Sequence, residues 1–229
     1  MMGKKKKRNR LFLVIAAVSV FAVILALIVF SGSPLTQEVT PGVKIGDEFV
    51  YDITSSWNSD DPNATIVDRY VQLNMTEWYK ITVTDVNGSK VSIETIWRFT
   101  NETEIESTST MDVNTGTAYP SNAFWAIYAA NLEKNDRIRP SGSSRAIVNE
   151  TETKDYTSGT REINVVSLTE QYYDADDPTY STTWTEFMNT KFDKQTGMLV
   201  EFHDISFYTN PAQTMTIAWI LEETNVWDV

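Results

Sequence analysis

The stretch EWYKITVTDVNGSKVSIETIWRF, residues 77–99, decides the fold. Large apolar residues alternate with polar ones on both sides of Asn87-Gly88, the pattern of two half-buried strands joined by a tight turn. With Val86-Asn87-Gly88 as a three-residue loop, Val83 faces Val91, Ile81 faces Ile93 and Tyr79 faces Thr95. Lys80 then sits opposite Glu94 on the other face, a favourable cross-strand pair. A two-residue Asn-Gly turn would put Ile81 opposite Glu94, so the side chains favour the longer loop, with Gly88 supplying a positive φ.

The same period runs outward along the chain. Phe49, Tyr51 and Ile53 share one face of a strand that follows Gly46-Asp47. Thr65 to Leu73 reads as a second strand. A second hairpin is centred on Asp193-Lys194-Gln195-Thr196-Gly197, although its register is not set by the pattern. Further strands are expected at Ile105–Val113, Arg161–Tyr173 and Thr214–Thr224. One segment departs from the period. AFWAIYAANL (123–132) follows Ser121-Asn122, with alanines and with Phe124, Ile127/Tyr128 and Leu132 at helical spacing. Ser121 is a suitable N-cap, so the spacing predicts a helix from Asn122 to Glu133. The expected fold is mainly β: a curved antiparallel sheet or half-barrel with one short helix packed in its concavity. Two pairs of segments echo each other, Trp57–Pro62 with Tyr173–Pro178 and Lys44–Phe49 with Glu133–Ile138, and this hints at two related halves.

The N-terminus has a different character. Residues Leu11 to Phe30, LFLVIAAVSVFAVILALIVF, carry no charge. At a rise of about 1.5 Å per residue they span the hydrocarbon layer as a transmembrane helix. Residues 1–10 hold six lysines and arginines and no acid. By the positive-inside rule they form a cytoplasmic tail, which places the remainder outside the cytoplasm and leaves the protein in the cell membrane with a single pass. A cleaved signal peptide is the alternative, but its apolar stretch is usually only about 7–15 residues long. Residues 31–43, with two prolines, read as a linker, and residues 44–229 as one extracytoplasmic β-rich domain.

Beyond residue 10 the chain has 13 basic and 31 acidic residues, a net charge of -18. A surface so acidic repels nucleic acid. The absence of cysteine excludes disulfides, thiolate metal sites, a thiol nucleophile and a lipoprotein-type anchor.

GDEFVY (46–51) opening a strand and FDKQTGMLVEF (192–202) resemble uncharacterised membrane-anchored exported proteins of archaea. More distantly the chain is similar to the LolA/LppX-like lipoprotein carriers. That resemblance implies a half-barrel sheet wrapped around a helix, with lipid bound in an apolar cavity. The carriers' lipobox cysteine is absent here, and no functional residue carries over.

Candidate chemistry is sparse. Asn63, Asn74, Asn87, Asn101 and Asn149 each begin an Asn-x-Ser/Thr sequon, which makes surface glycosylation an expectation. The loops holding Asn58, Asp60 and Asp61, and Asp174, Asp176 and Asp177, carry carboxylates of the kind that hold Ca²⁺. The second loop fails the EF-hand pattern at Pro178, and solvated Asp-Pro turns are the preferred reading of both. His203 is the only histidine, and no nucleophile elbow or Ser-x-x-Lys motif accompanies it. Neither an enzyme nor a cofactor is expected. Seven Trp, ten Tyr and ten Phe fill a β core first, and can also line a cavity. Trp125 and Tyr128, on one face of the expected helix, and Trp57, before an acidic loop, are the candidate lining. Three functions follow: a membrane-tethered binding protein for a lipidic or apolar ligand, a glycosylated surface or adhesion module whose ligand would be a glycan, and an envelope hydrolase using paired carboxylates.

Overall fold

The computed structural model describes residues 39–121, 123–173 and 183–229. The expected anchor at 11–30 lies outside the described residues, as do Asn122 and the acidic loop of Asp174, Asp176 and Asp177. Among the described residues no helix is long and apolar enough to cross a membrane. Residues 40–43, read above as linker, dock on the domain: Val43 is buried, Gly42 N–H donates to Thr196 O, and Thr40 O accepts from Ala130 N–H.

Ten strands build one curved, unclosed antiparallel sheet. They are β1 (Glu48–Ser59), β2 (Thr76–Asn87), β3 (Lys90–Phe99), β4 (Glu104–Asp112) and β5 (Ala118–Tyr119). Then come β6 (Glu150–Tyr156), β7 (Gly159–Tyr173), β8 (Thr183–Asp193), β9 (Leu199–Thr209) and β10 (Ala212–Thr224). The spatial order is β5-β4-β3-β2-β1-β10-β9-β8-β7-β6. Each strand thus pairs with its sequence neighbour, except that β1 and β10 meet along a central seam and β5 and β6 stand at opposite edges.

The β2–β3 hairpin forms with a different register from the expected one. Asn87 pairs with Lys90, so the loop is Gly88-Ser89, and a bulge between Val83 and Asp85 takes up one residue. Val83 then faces Ile93, and Ile81 faces Thr95. The pairs move by two residues, so every side chain keeps its face and Ile81, Val83, Val91 and Ile93 are all buried. Gly88 holds φ +59° at the first loop position, as primed hairpin turns require. Lys80 now faces Ile96 and finds its partner on β1 instead, with Nζ 2.8 Å from Glu48.

The expected strand at 65–73 is corrected to a helix, α1 (Asp68–Asn74). Its residues carry both periods, and the sheet decides between them. β1 pairs with β2 only over Glu48–Tyr51 and continues alone on that side. The helix docks on the freed edge: Asn74 Oδ1 accepts from Ser55 N–H and Ser55 Oγ donates to Tyr70 O. Leu73 is buried beneath it.

The expected helix at 122–133 does not form in its described part, which is irregular. Its backbone groups are taken by other elements before a helix could use them. Ala126 O accepts from Leu199 N–H, Tyr128 N–H donates to Gly197 O, and Asn131 N–H donates to Lys194 O. Arg139 completes the capture, donating from Nη2 to Trp125 O at 2.6 Å and from Nη1 to Ile127 O. The segment is a strap laid over one end of the concave face. Phe124 packs on Tyr51, Tyr79 and Trp219, and Tyr128 stacks on Phe192 with ring centroids 4.4 Å apart.

Two turns are built twice. Lys44 N–H donates to Asp47 Oδ2, Asp47 N–H to Lys44 O, and Gly46 N–H to Val83 O. Glu133, Asp136, Asn135 and Val148 repeat all three bonds. Gly46 and Asn135 both have positive φ. Likewise Asp112-Val113-Asn114-Thr115-Gly116 and Asp193-Lys194-Gln195-Thr196-Gly197 share a turn in which the Asp carboxylate accepts from the Thr N–H and the Asp carbonyl from the Gly N–H. The echo of Lys44–Phe49 in Glu133–Ile138 is thus a repeated local structure.

Candidate functional site

Because side chains alternate along each strand, the concave face is a series of rungs across β1, β10, β9, β8 and β7. The rung nearest the strap reads Ile53, Trp219, Phe202, Thr190, Val166, and the next reads Ser55, Ile217, Asp204, Met188, Leu168. Beyond these come Trp57, Met215, Ser206, Glu186, Glu170, and finally Ser59, Gln213, Tyr208, Trp184, Tyr172. The face therefore passes from apolar through a band of acids to a row of aromatic rings.

The strap fills one end of this concavity and leaves a cleft of about 530 Å³ beside it. Its walls are largely apolar, with Met188, Leu168, Phe202, Ile217 and Trp219 from the sheet and Leu73 from α1. Trp125 and Tyr128 both line it. Trp125 is 41% exposed and meets Phe202 edge-on at 4.9 Å, whereas Tyr128 is buried under the Arg139 guanidinium. Burial raises the Tyr128 hydroxyl to about 12 and lowers the Arg139 guanidinium from its ordinary value. Arg139 spends its donors on carbonyls and serves as a clasp for the strap. Trp57 lies on the same concave face, opposite Met215, and its buried Nε1 has no hydrogen-bond partner.

Besides Arg139, three charged residues line the cleft where sequence reasoning had placed none: Arg69 from α1, Glu186 from β8 and Asp204 from β9. Glu186 and Asp204 stand diagonally on adjacent strands, close enough for the charge of one to act on the other. Burial, then the charge of Glu186, raises the Asp204 carboxyl from 3.8 to about 6, while Arg69 opposes the shift. Tyr70 of α1 is raised by burial and by the neighbouring Asp204 carboxylate. Asp204 Oδ1 is buried and accepts no hydrogen bond. At the open end Tyr172, Trp184 and Tyr208 stack in line, with centroids 4.8 and 5.6 Å apart. Tyr172 also donates to Glu170, which raises its hydroxyl to about 12.

The remaining candidates lie elsewhere. Asp60 and Asp61 sit in a turn where Asp61 Oδ1 accepts from Asn63 N–H at 2.9 Å. Among the described residues no group of three or more His, Asp or Glu side chains could hold a metal ion. The five sequon asparagines are all exposed, but Asn74 and Asn149 also use Oδ1 to hold Ser55 N–H and Ser167 N–H. His203 points to the convex side and meets Glu201 at 2.8 Å. Compared with known families and curated proteins, the sequence matches no family model and no curated protein.

Proposed function

We propose that this chain is a membrane-tethered, extracytoplasmic binding protein that takes a small apolar or lipidic ligand in the concave cleft. The cleft carries this reading. Its volume of about 530 Å³ falls within the range of roughly 300–1,000 Å³ usual for small-molecule sites, and it combines apolar walls with a few convergent polar groups. The tether rests on the uncharged run at 11–30 behind six basic residues. A glycosylated surface module is a second reading, favoured by the exposure of all five sequon asparagines. It is compatible with the first, because the sequons lie outside the cleft lining.

The test is photo-crosslinking in native membranes with a diazirine-bearing long-chain alcohol, which carries no charge. Label should appear on peptides carrying Leu168, Met188 and Phe202, and Met188→Trp, which fills the cleft, should remove it. Label confined to residues outside the cleft, or indifferent to Met188→Trp, would overturn the binding reading. N-terminal sequencing of the extracted protein tests the tether separately, and a mature start near Gly32 or Pro34 would exclude it.

A further inference from the structure

Resting on the binding function proposed above, we infer that the occupant of the cleft is an amphiphile with a cationic head, an amine or ammonium group seated against Glu186 and Asp204. Its apolar body would lie on Leu168, Met188, Ile217 and Trp219.

The charge arrangement points to this ligand. Two carboxylates stand diagonally on β8 and β9, Asp204 in the rung of Ile217, Met188 and Leu168 and Glu186 one rung beyond. Arg69, exposed on α1, opposes the rise of the Asp204 carboxyl, and Arg139 spends its donors on backbone carbonyls. Both carboxylates belong to the cleft lining. Carboxylate oxygens accept hydrogen bonds, and an ammonium group offers three donors to them. The neighbouring rung is the Tyr172–Trp184–Tyr208 stack, and aromatic rings attract cations as well as apolar groups. An anionic head would instead meet two carboxylates.

The groups packed around Asp204 are Glu186 and Met188 of β8, Ile217 of β10, Ser206 and Tyr208 of β9, and Arg69 and Tyr70 of α1. With its carboxyl raised to about 6, Asp204 is largely ionised near neutrality and protonated in mild acid. A cation held there stabilises the ionised form, so acid should weaken its binding.

Competition against the diazirine label in membranes carrying the full chain provides the test, with dodecylamine, dodecanol and dodecanoate sharing one alkyl chain. Dodecylamine should compete near neutral pH at concentrations about tenfold lower than the other two, the effect of one charge-assisted hydrogen bond. The preference should weaken as pH falls below about 6, where Asp204 takes up its proton. It should vanish in Glu186→Gln and in Asp204→Asn, with dodecanol competing as before. Equal competition by all three, a preference for dodecanoate, or an amine preference that survives in both variants would overturn the inference while leaving the binding function standing. Absence of label from the cleft would remove both. The wild-type series alone suffices if a variant fails to fold.

Discussion

Asp193 and Asp112 hold the same place in two copies of one turn, but their surroundings differ. Asp193 is 1% exposed. It takes Arg161 through two bonds of 2.7 and 2.9 Å, together with the N–H and hydroxyl of Thr196. Asp112 accepts only from Asn114 N–H and Thr115 N–H, in part-buried bonds. Asp193→Ala should therefore cost about 3–5 kcal/mol, because it leaves a half-buried guanidinium without its partner. Asp112→Ala should cost about 1–2 kcal/mol, the loss of two part-buried hydrogen bonds with no charge left unpaired. Chemical denaturation of the two variants checks the contrast. Asp204 makes a different prediction. Its carboxyl is raised from 3.8 to about 6, so the folded state holds more protons than the unfolded one between those values, and stability falls as pH rises through them. Asp204→Asn should flatten the stability profile over that interval, as melting temperature against pH would show. Neither carboxylate of the cleft was legible as a site in the sequence. Glu186 and Asp204 are ordinary strand acids until the β8–β9 register is known, and that register is what puts them together on an apolar face.

At the scale of elements, alternation proved a good guide and exceptions to it a poor one. The strands around Phe49, at 105–113, at 161–173 and at 214–224, and both hairpins, follow from period two. In the β2–β3 hairpin the Gly88-Ser89 loop and the bulge replace the expected three-residue loop, yet they preserve the buried face, which is the quantity that the pattern reports. The helix was placed wrongly for a physical reason. Residues 123–133 have helical spacing but are surrounded by strand ends and turns with unfilled backbone groups, and those partners win. Residues 68–74 alternate, yet they sit beside a strand edge with no neighbour. Gly197 shows how closely the strap is held. It has φ +75°, and a Cβ there would come within 2.1 Å of Tyr128 O. Gly88 has φ +59° and open space around it. Gly88→Ala should cost about 1–2 kcal/mol, the backbone term alone. Gly197→Ala should exceed that and also expose the strap, readable as faster proteolysis between 123 and 133 than in the Gly88 variant.

For the whole molecule, the central seam sets a different kind of constraint. Ser92 bonds Thr110 across 18 residues of chain within one half, whereas Ser56 bonds Thr216 across 160. By the logarithmic dependence of closure entropy on loop length, closing the seam costs about 2 kcal/mol more than closing such a hairpin. Two ribbons, β1–β5 and β6–β10, can each zip up locally, but their union waits until the most distant strands meet. The order of events follows. Replacing Val91 with Ala, inside a ribbon, should slow refolding. Replacing Ile217 with Ala, on the seam, should mainly speed unfolding. Stopped-flow measurements of both would reveal the sequence of assembly, and a refolding rate slowed equally by the Ile217 change would contradict it. The concave cleft draws on both ribbons, with Ile217 from one and Leu73, beside β1, from the other. A chain halted with its ribbons made but unjoined would therefore hold nearly all of its secondary structure and lack the finished cleft, so a ligand of the kind proposed would bind only the finished molecule and drive the last step to completion.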